Sequence, residues 1–163
     1  MTEEQNIKKI QEKLRAYEKL LNELKNECGF KNHNTPTGEY AEKLCKAVLK
    51  LKEADNNQEG YDLIDTNNNK TYQIKGRRFY GKGSVQFDYF HIDEKGKLNF
   101  DYLIGVIFGE QFAVEQVYQI SSDMLLDKGL LRETKKGYIV KFDDVKKNAE
   151  DITKVFINYL GKI

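Results

Sequence analysis

The sequence predicts an α/β domain, a mixed sheet flanked by helices, with a further long helix at its N-terminus. Three observations predict it. Apolar residues recur at helical spacing over about 2–27, 37–52 and 145–160. Between them, runs of β-formers separated by turn residues fill 60–78 and 98–121. The 163 residues suit one core rather than two, which divides the chain into a helix at 1–28 and a domain at 29–163.

The first helix carries Ile7, Ile10, Leu14, Tyr17, Leu21 and Leu24 at alternating spacings of three and four, with Leu20 widening the stripe. This heptad-like seam of roughly three repeats can pack on its own domain or pair with a second copy of the chain as a homodimer. Gly29 stops the helix, and GFKNHNTPTG is a connector holding the only proline, Pro36. His33 in that connector reads as solvated. A second helix is predicted over about 37–52, with Thr35 or Thr37 as N-cap. Its stripe is Tyr40, Ala41, Leu44, Val48 and Leu51, with Cys45 at the edge. On a helical wheel Glu39 and Glu42 lie opposite that stripe. The polar stretch at 53–59 is predicted to be a loop.

The stretch GYDLIDTNNNKTYQIKGRR at 60–78 then reads as a hairpin around an Asn-Asn-Asn turn. Because strand side chains alternate, Gln73 and Lys75 share one face and Ile74 takes the other. Asp62, near the start of the first strand, can converge with them. A carboxylate, an amide oxygen, the backbone carbonyl of Ile74 and an ammonium suit a hard divalent cation, Mg²⁺ or Mn²⁺, bound beside a phosphate. Lys75 suits stabilisation of developing charge or deprotonation of a water. The same pattern also fits an ordinary hairpin with an exposed polar face.

From residue 66 to 87 the chain has no Asp or Glu, while Lys70, Lys75, Arg77, Arg78 and Lys82 alternate with Tyr72, Phe79 and Tyr80. Such a run can contact phosphates and stack on bases, so DNA is the partner it predicts. GKGS at 81–84 lacks the glycine spacing of a P-loop. SVQFDYFHID is a short strand or ordered loop, with His91 and Asp93 read as structural. LNFDYLIGVIFG at 98–109 is the most apolar run, suited to a central buried strand, and FAVEQVYQIS follows as its hairpin partner. A short helix capped by Ser121 or Ser122, a small hairpin turning at Lys136-Gly137, and a last helix over 145–160 complete the order. That helix is expected to bury Ala149, Ile152, Val155, Phe156 and Tyr159 on one face.

The formal net charge of +1 does not by itself announce a nucleic-acid binder. Cys28 and Cys45 read as reduced thiols, and no zinc spacing, nucleophile motif or internal repeat is present. The charged N-terminus and the lack of a long apolar run predict a cytoplasmic protein with no membrane span.

The D…QxK pattern of Asp62, Gln73 and Lys75 resembles the PD-(D/E)xK nuclease superfamily, closest to its Mrr-type restriction-endonuclease branch, over about 37–121. Two positions depart from the usual motif: Tyr61 stands where proline precedes the aspartate, and Gln73 replaces the acid. The GEYAE segment resembles the helix that supplies a glutamate to the metal site. By that spacing Glu42 is the matching carboxylate and Glu39 the close second. The resemblance implies a restriction-endonuclease-like fold and a Mg²⁺-dependent DNA endonuclease. Asp62, Gln73, Ile74 and Glu42 or Glu39 would hold the metal, Lys75 would serve the water, and Arg77, Arg78, Lys82, Lys70 and Tyr80 would meet DNA. It equally admits a catalytically weak nuclease-fold module that binds DNA or a protein partner.

Overall fold

The computed structural model describes residues 3–31, 36–54, 60–79, 81 and 83–162. Helix α1 spans Glu3–Cys28 and α2 spans Pro36–Leu49. A six-stranded mixed sheet has the order β1 (Lys52–Glu53), β2 (Leu63–Asp65), β3 (Lys70–Arg78), β5 (Tyr102–Phe108), β6 (Val114–Ser121) and β9 (Glu150–Asp151). A second, three-stranded sheet is made of β4 (Gln86–Phe90), β8 (Gly137–Lys141) and β7 (Arg132–Thr134). Helices α3 (Ser122–Asp127), α4 (Phe142–Asn148) and α5 (Thr153–Leu160) complete the chain. Among the described residues no helix is long and apolar enough to cross a membrane.

Both faces of the large sheet are covered, which is why β5 is apolar without alternation. Ile104, Val106 and Phe108 point to a core shared with Ala41, Leu44 and Cys45 of α2 and Phe156 of α5. Leu103 and Ile107 point to the opposite core, filled by Phe87, Leu125, Val140 and Val145 from the smaller sheet, α3 and α4. Gly105 lets that second layer approach, because a Cβ there would lie 2.5 Å from the Phe87 ring. β3 pairs with β5 in parallel, from Tyr72 opposite Tyr102 to Arg78 opposite Phe108, while β2 and β6 run antiparallel to their neighbours.

Several boundaries follow local chemistry. Gly29 adopts φ 65° and the Phe30 amide donates to the Leu24 carbonyl at 3.2 Å, so α1 closes on a left-handed glycine. α2 begins at Pro36, so Thr37 is inside the helix and not its cap, since proline is preorganised for a first helical position; Thr35 and His33 lie outside the described residues. The helix ends at Leu49 rather than near 52, where Lys50 turns left-handed at φ 56°. Lys52 and Glu53 then pair with Ile64 and Leu63, so part of the predicted loop is an edge strand. Ser121 is the cap of α3, accepting from the Met124 amide at 3.2 Å. Thr134 pairs with Gly137, which puts the small hairpin's turn at Lys135-Lys136, one residue earlier than predicted.

The predicted last helix is two helices. Between them Glu150 and Asp151 pair with Gln119 and Tyr118 of β6, and the Ile152 amide donates to the Val117 carbonyl at 3.0 Å. Thr153 Oγ1 accepts from the Val117 amide at 2.8 Å. Sheet pairing thus replaces helical bonding over residues 150–152. The apolar stripe divides accordingly: Val145 and Ala149 face one core, Ile152 and Phe156 the other, and Val155 is exposed.

Candidate active site

The β2–β3 hairpin is built as its residues dictate. Asp65 Oδ1 accepts from the Asn67 amide at 2.8 Å, Asn68 Oδ1 accepts from the Lys70 amide at 2.9 Å, and Asn69 takes φ 57°. This register sets Asp62, one residue before β2, beside Tyr72 to Ile74: its amide donates to the Tyr72 carbonyl at 2.9 Å. The Asp62 carboxylate turns onto β3, where Oδ2 accepts from the Ile74 amide at 2.7 Å and from Gln73 Nε2 at 2.5 Å. In extended backbone a residue's N–H and C=O point to the same side. The Ile74 carbonyl therefore faces the edge that Asp62 occupies.

Lys75 shares the Gln73 side of β3, with its Nζ 5.4 Å from the centre of the Phe90 ring. Burial pulls its pKa down, with Arg77 acting in the same direction and Asp62, Asp88 and Glu42 opposing. Burial likewise raises the Asp62 carboxyl, against the Ile74 amide and Lys75.

Glu42 arrives from α2. That helix lies tight on β3 because Gly76 has no side chain: a Cβ there would stand 2.7 Å from the Thr37 carbonyl oxygen and 2.8 Å from Ala41 Cβ. The helix face is centred on Ala41 and Cys45, both fully buried, so Cys45 is not at the edge of the stripe. Glu42 lies about 60° around the helix from Cys45. It therefore flanks the buried face instead of opposing it, and is half-buried. Its carboxyl is pushed up to about 7 by burial first, then by Asp62 and Glu39, with Lys31 and Lys75 pulling the other way. Glu39 is engaged elsewhere as well, since its Oε1 accepts from the Lys31 amide at 2.6 Å. Behind the site the Cys45 thiol is raised by burial and then by Glu42 and Asp62, which makes it unreactive.

Asp62 is bonded to Gln73 with Lys75 on the same side of the hairpin, and the half-buried Glu42 lies near enough for its charge to act on Lys75 and for that of Asp62 to act on it. The carboxylates of Asp62 and Glu42 are held there at a cost in desolvation, and Asp62 repels Glu42 while Lys31 and Lys75 favour its charged form; an oxygen-seeking divalent cation would favour the ionised acids further. Among the described residues no group of three or more His, Cys, Asp or Glu is placed to hold a metal. A cation here fits only with the Gln73 amide oxygen and the Ile74 carbonyl added to the two acids. In this structure Gln73 presents its nitrogen end to Asp62.

The basic run is less free than its sequence suggests, because acids from other strands reach it. Lys70 Nζ lies 3.0 Å from Asp101 Oδ1, near the far end of β3 from Arg78. Arg77 is paired with Asp88 of β4. The Arg78 guanidinium stacks 4.5 Å from the centre of the Phe112 ring and donates to the Gly109 carbonyl at 3.5 Å. Tyr80 and Lys82 lie outside the described residues. Asp93 is structural as predicted, its Oδ1 accepting from the Lys95 and Lys97 amides. Sequence reasoning missed Asp88, Phe90 and Gly76 as parts of the site's frame. The irregularity of β4 between Phe87 and Phe90, where Tyr89 takes φ 63°, hides both of the first two from a period-two reading.

No protein-family model and no curated protein sequence matches this chain. Among solved structures, that of a bacterial homing endonuclease, I-Ssp6803I, is similar with a TM-score of 0.42 and 14% identity, over 68% of this chain and 78% of that one. A likeness at that level assigns neither family nor chemistry.

Proposed function

We propose that the chain is a metal-dependent endonuclease of restriction type that hydrolyses DNA phosphodiester bonds. The observation that carries the reading is the meeting of Asp62, Gln73 and Lys75 on one hairpin with Glu42 of the adjoining helix. Asp62, Glu42, the Ile74 carbonyl and the amide of Gln73 would hold Mg²⁺ or Mn²⁺, with Glu39 as the second choice on the helix. When bound, the cation supplies polarisation of the phosphate and a water of lowered pKa. Asp62, fixed by the Ile74 amide, orients the site. Lys75, its pKa already drawn down by burial, takes a proton from the attacking water or neutralises charge growing on the phosphate oxygens. Arg78 and Arg77 guide backbone phosphate, Arg77 after exchanging Asp88 for the ligand, with Lys70, Tyr80 and Lys82 as outlying contacts.

In this reading residues 29–163 form the nuclease domain and residues 1–28 a helix that joins two copies, in a cytoplasmic protein. A second reading is a catalytically weak nuclease-fold module that binds DNA or a protein partner. It is favoured by the Gln73 nitrogen on Asp62, which satisfies that carboxylate without metal. Supercoiled plasmid with Mg²⁺ or Mn²⁺ separates the two. The enzyme gives nicked or linear product, which Asp62→Asn and Lys75→Ala each reduce at least 100-fold, about the range of a general acid–base group. Retention of plasmid in a gel shift without any cleavage, under either metal, selects the module.

A further inference from the structure

Helix α1 presents its seam to solvent from Ile7 to Leu20, while Leu21 and Leu24 are half-buried. Ile7, Ile10, Leu14, Tyr17 and Leu20 are each between 45% and 60% exposed, so α1 does not bury this stripe on its own domain. A helix of 26 residues with charged flanks gains little stability alone, and in proteins such a helix is held by packing of its apolar face. Buried from both copies, these side chains would remove on the order of 1,000 Å² from water, the size at which specific interfaces begin.

We propose that α1 pairs with α1 of a second copy as a parallel, in-register coiled coil, which brings both candidate sites to the same end of the dimer. The heptad assignment carries the direction. Ile7, Leu14, Leu21 and Cys28 take the first seam position and Ile10, Tyr17 and Leu24 the second. In a parallel pair the flanking position before one heptad faces the flanking position of the next on the other strand. Lys13 then meets Glu18 of the partner subunit, twice by symmetry. Leu20 meets Lys25 of the partner subunit, whose methylene stem can cover it. At the middle of an antiparallel overlap Lys13 faces Leu20 and Glu18 faces Gln11, so the bridges at the centre of the parallel coil are lost and oppositely charged positions meet only at the helix ends. The pairing of α1 stands on the seam and its charges. Its use for cutting both strands of a duplex rests on the nuclease reading.

Cys28 makes the orientation measurable. It continues the first seam position, is exposed, and is a free thiol, whereas Cys45 is buried. In the parallel coil two Cys28 residues face each other within the Cα separation of about 4.4–6.8 Å that a disulfide spans. In an antiparallel coil they sit at opposite ends, roughly 30 Å or more apart at about 1.5 Å per residue.

The test uses the full chain. Light scattering after size exclusion should give twice the chain mass, and copper-phenanthroline with dioxygen as oxidant should give a covalent dimer on a non-reducing gel. Cys28→Ser should abolish the covalent dimer, Cys45→Ser should leave it, and Leu14→Asp should lose both the cross-link and the dimer mass. Lys13→Glu should weaken the dimer at least several-fold in dissociation constant, and adding Glu18→Lys should restore it. A monomer at tens of micromolar, a mass of three chains or more, or a dimer that does not cross-link through Cys28 would overturn the proposal. These readouts need neither metal nor DNA. A chain that dimerises in this way but leaves plasmid intact defeats the nuclease reading alone.

Discussion

Glu42 offers a sharp test, because its position makes it costly to the fold that carries it. Its carboxyl is raised from an ordinary 4.5 to about 7 by burial and by the neighbouring Asp62 and Glu39. A raised carboxyl means that the folded chain holds the proton more tightly than the unfolded chain does. Stability therefore falls as pH rises from about 4.5 to about 7, and the full loss is present above that. At 1.36 kcal/mol per pH unit the whole gap corresponds to about 3 kcal/mol. Partial exposure of Glu42 and solvent screening reduce this to about 1.5–2 kcal/mol. Glu42→Gln keeps the shape and removes the charge. In EDTA at pH 8 it should gain that amount in urea unfolding, or about 4–6 °C in Tm at this chain length. At pH 4.5 it should gain nothing. Mg²⁺ at pH 8 should stabilise the wild type more than the variant, since a ligand stabilises the state it binds. A variant no more stable than wild type at pH 8, or stabilised equally at both pH values, would refute the placement of this carboxylate beside Asp62.

Gly76→Ala should cost about 2–3 kcal/mol in urea unfolding, because its Cβ would stand 2.7 Å from the Thr37 carbonyl oxygen and push α2 off the strand. Gln73→Glu replaces the amide that donates to Asp62 with a third acid. The metal-free chain should lose about 1–3 kcal/mol at pH 7 while calorimetry shows tighter Mg²⁺ binding. Asp88→Asn removes the partner of Arg77. Non-specific DNA affinity should rise and the slope of log K against log salt should steepen by about one, whereas an unchanged slope would mean that Arg77 does not reach phosphate.

Much of this arrangement is legible in the chain because local rules decide it. Alternation along 70–78 fixes which of Gln73, Ile74 and Lys75 share a face, and the asparagine turn fixes the register that brings Asp62 across. The apolar run at 102–108 announces a strand covered on both sides. What the sequence hides is set by distant partners. The helix predicted over 145–160 has an unbroken helical stripe, yet β6 offers free backbone at Val117 to Gln119 that captures residues 150–152. The basic stretch is free of acids along the chain but not in space, where Asp88 and Asp101 reach Arg77 and Lys70. Glu42 looks solvent-facing on a wheel drawn around Tyr40 and Leu51. Only packing against Gly76 recentres that wheel on Ala41 and Cys45.

The passage of the chain from α4 over β9 to α5 has a consequence for how the molecule assembles. Val145 closes one hydrophobic layer and Phe156 the other, so a chain lacking its last twenty or so residues would leave both layers open together. Neither half can be finished early and held in reserve. The large sheet and the two layers on it should therefore form and melt as one cooperative unit, with the tail acting as a clasp.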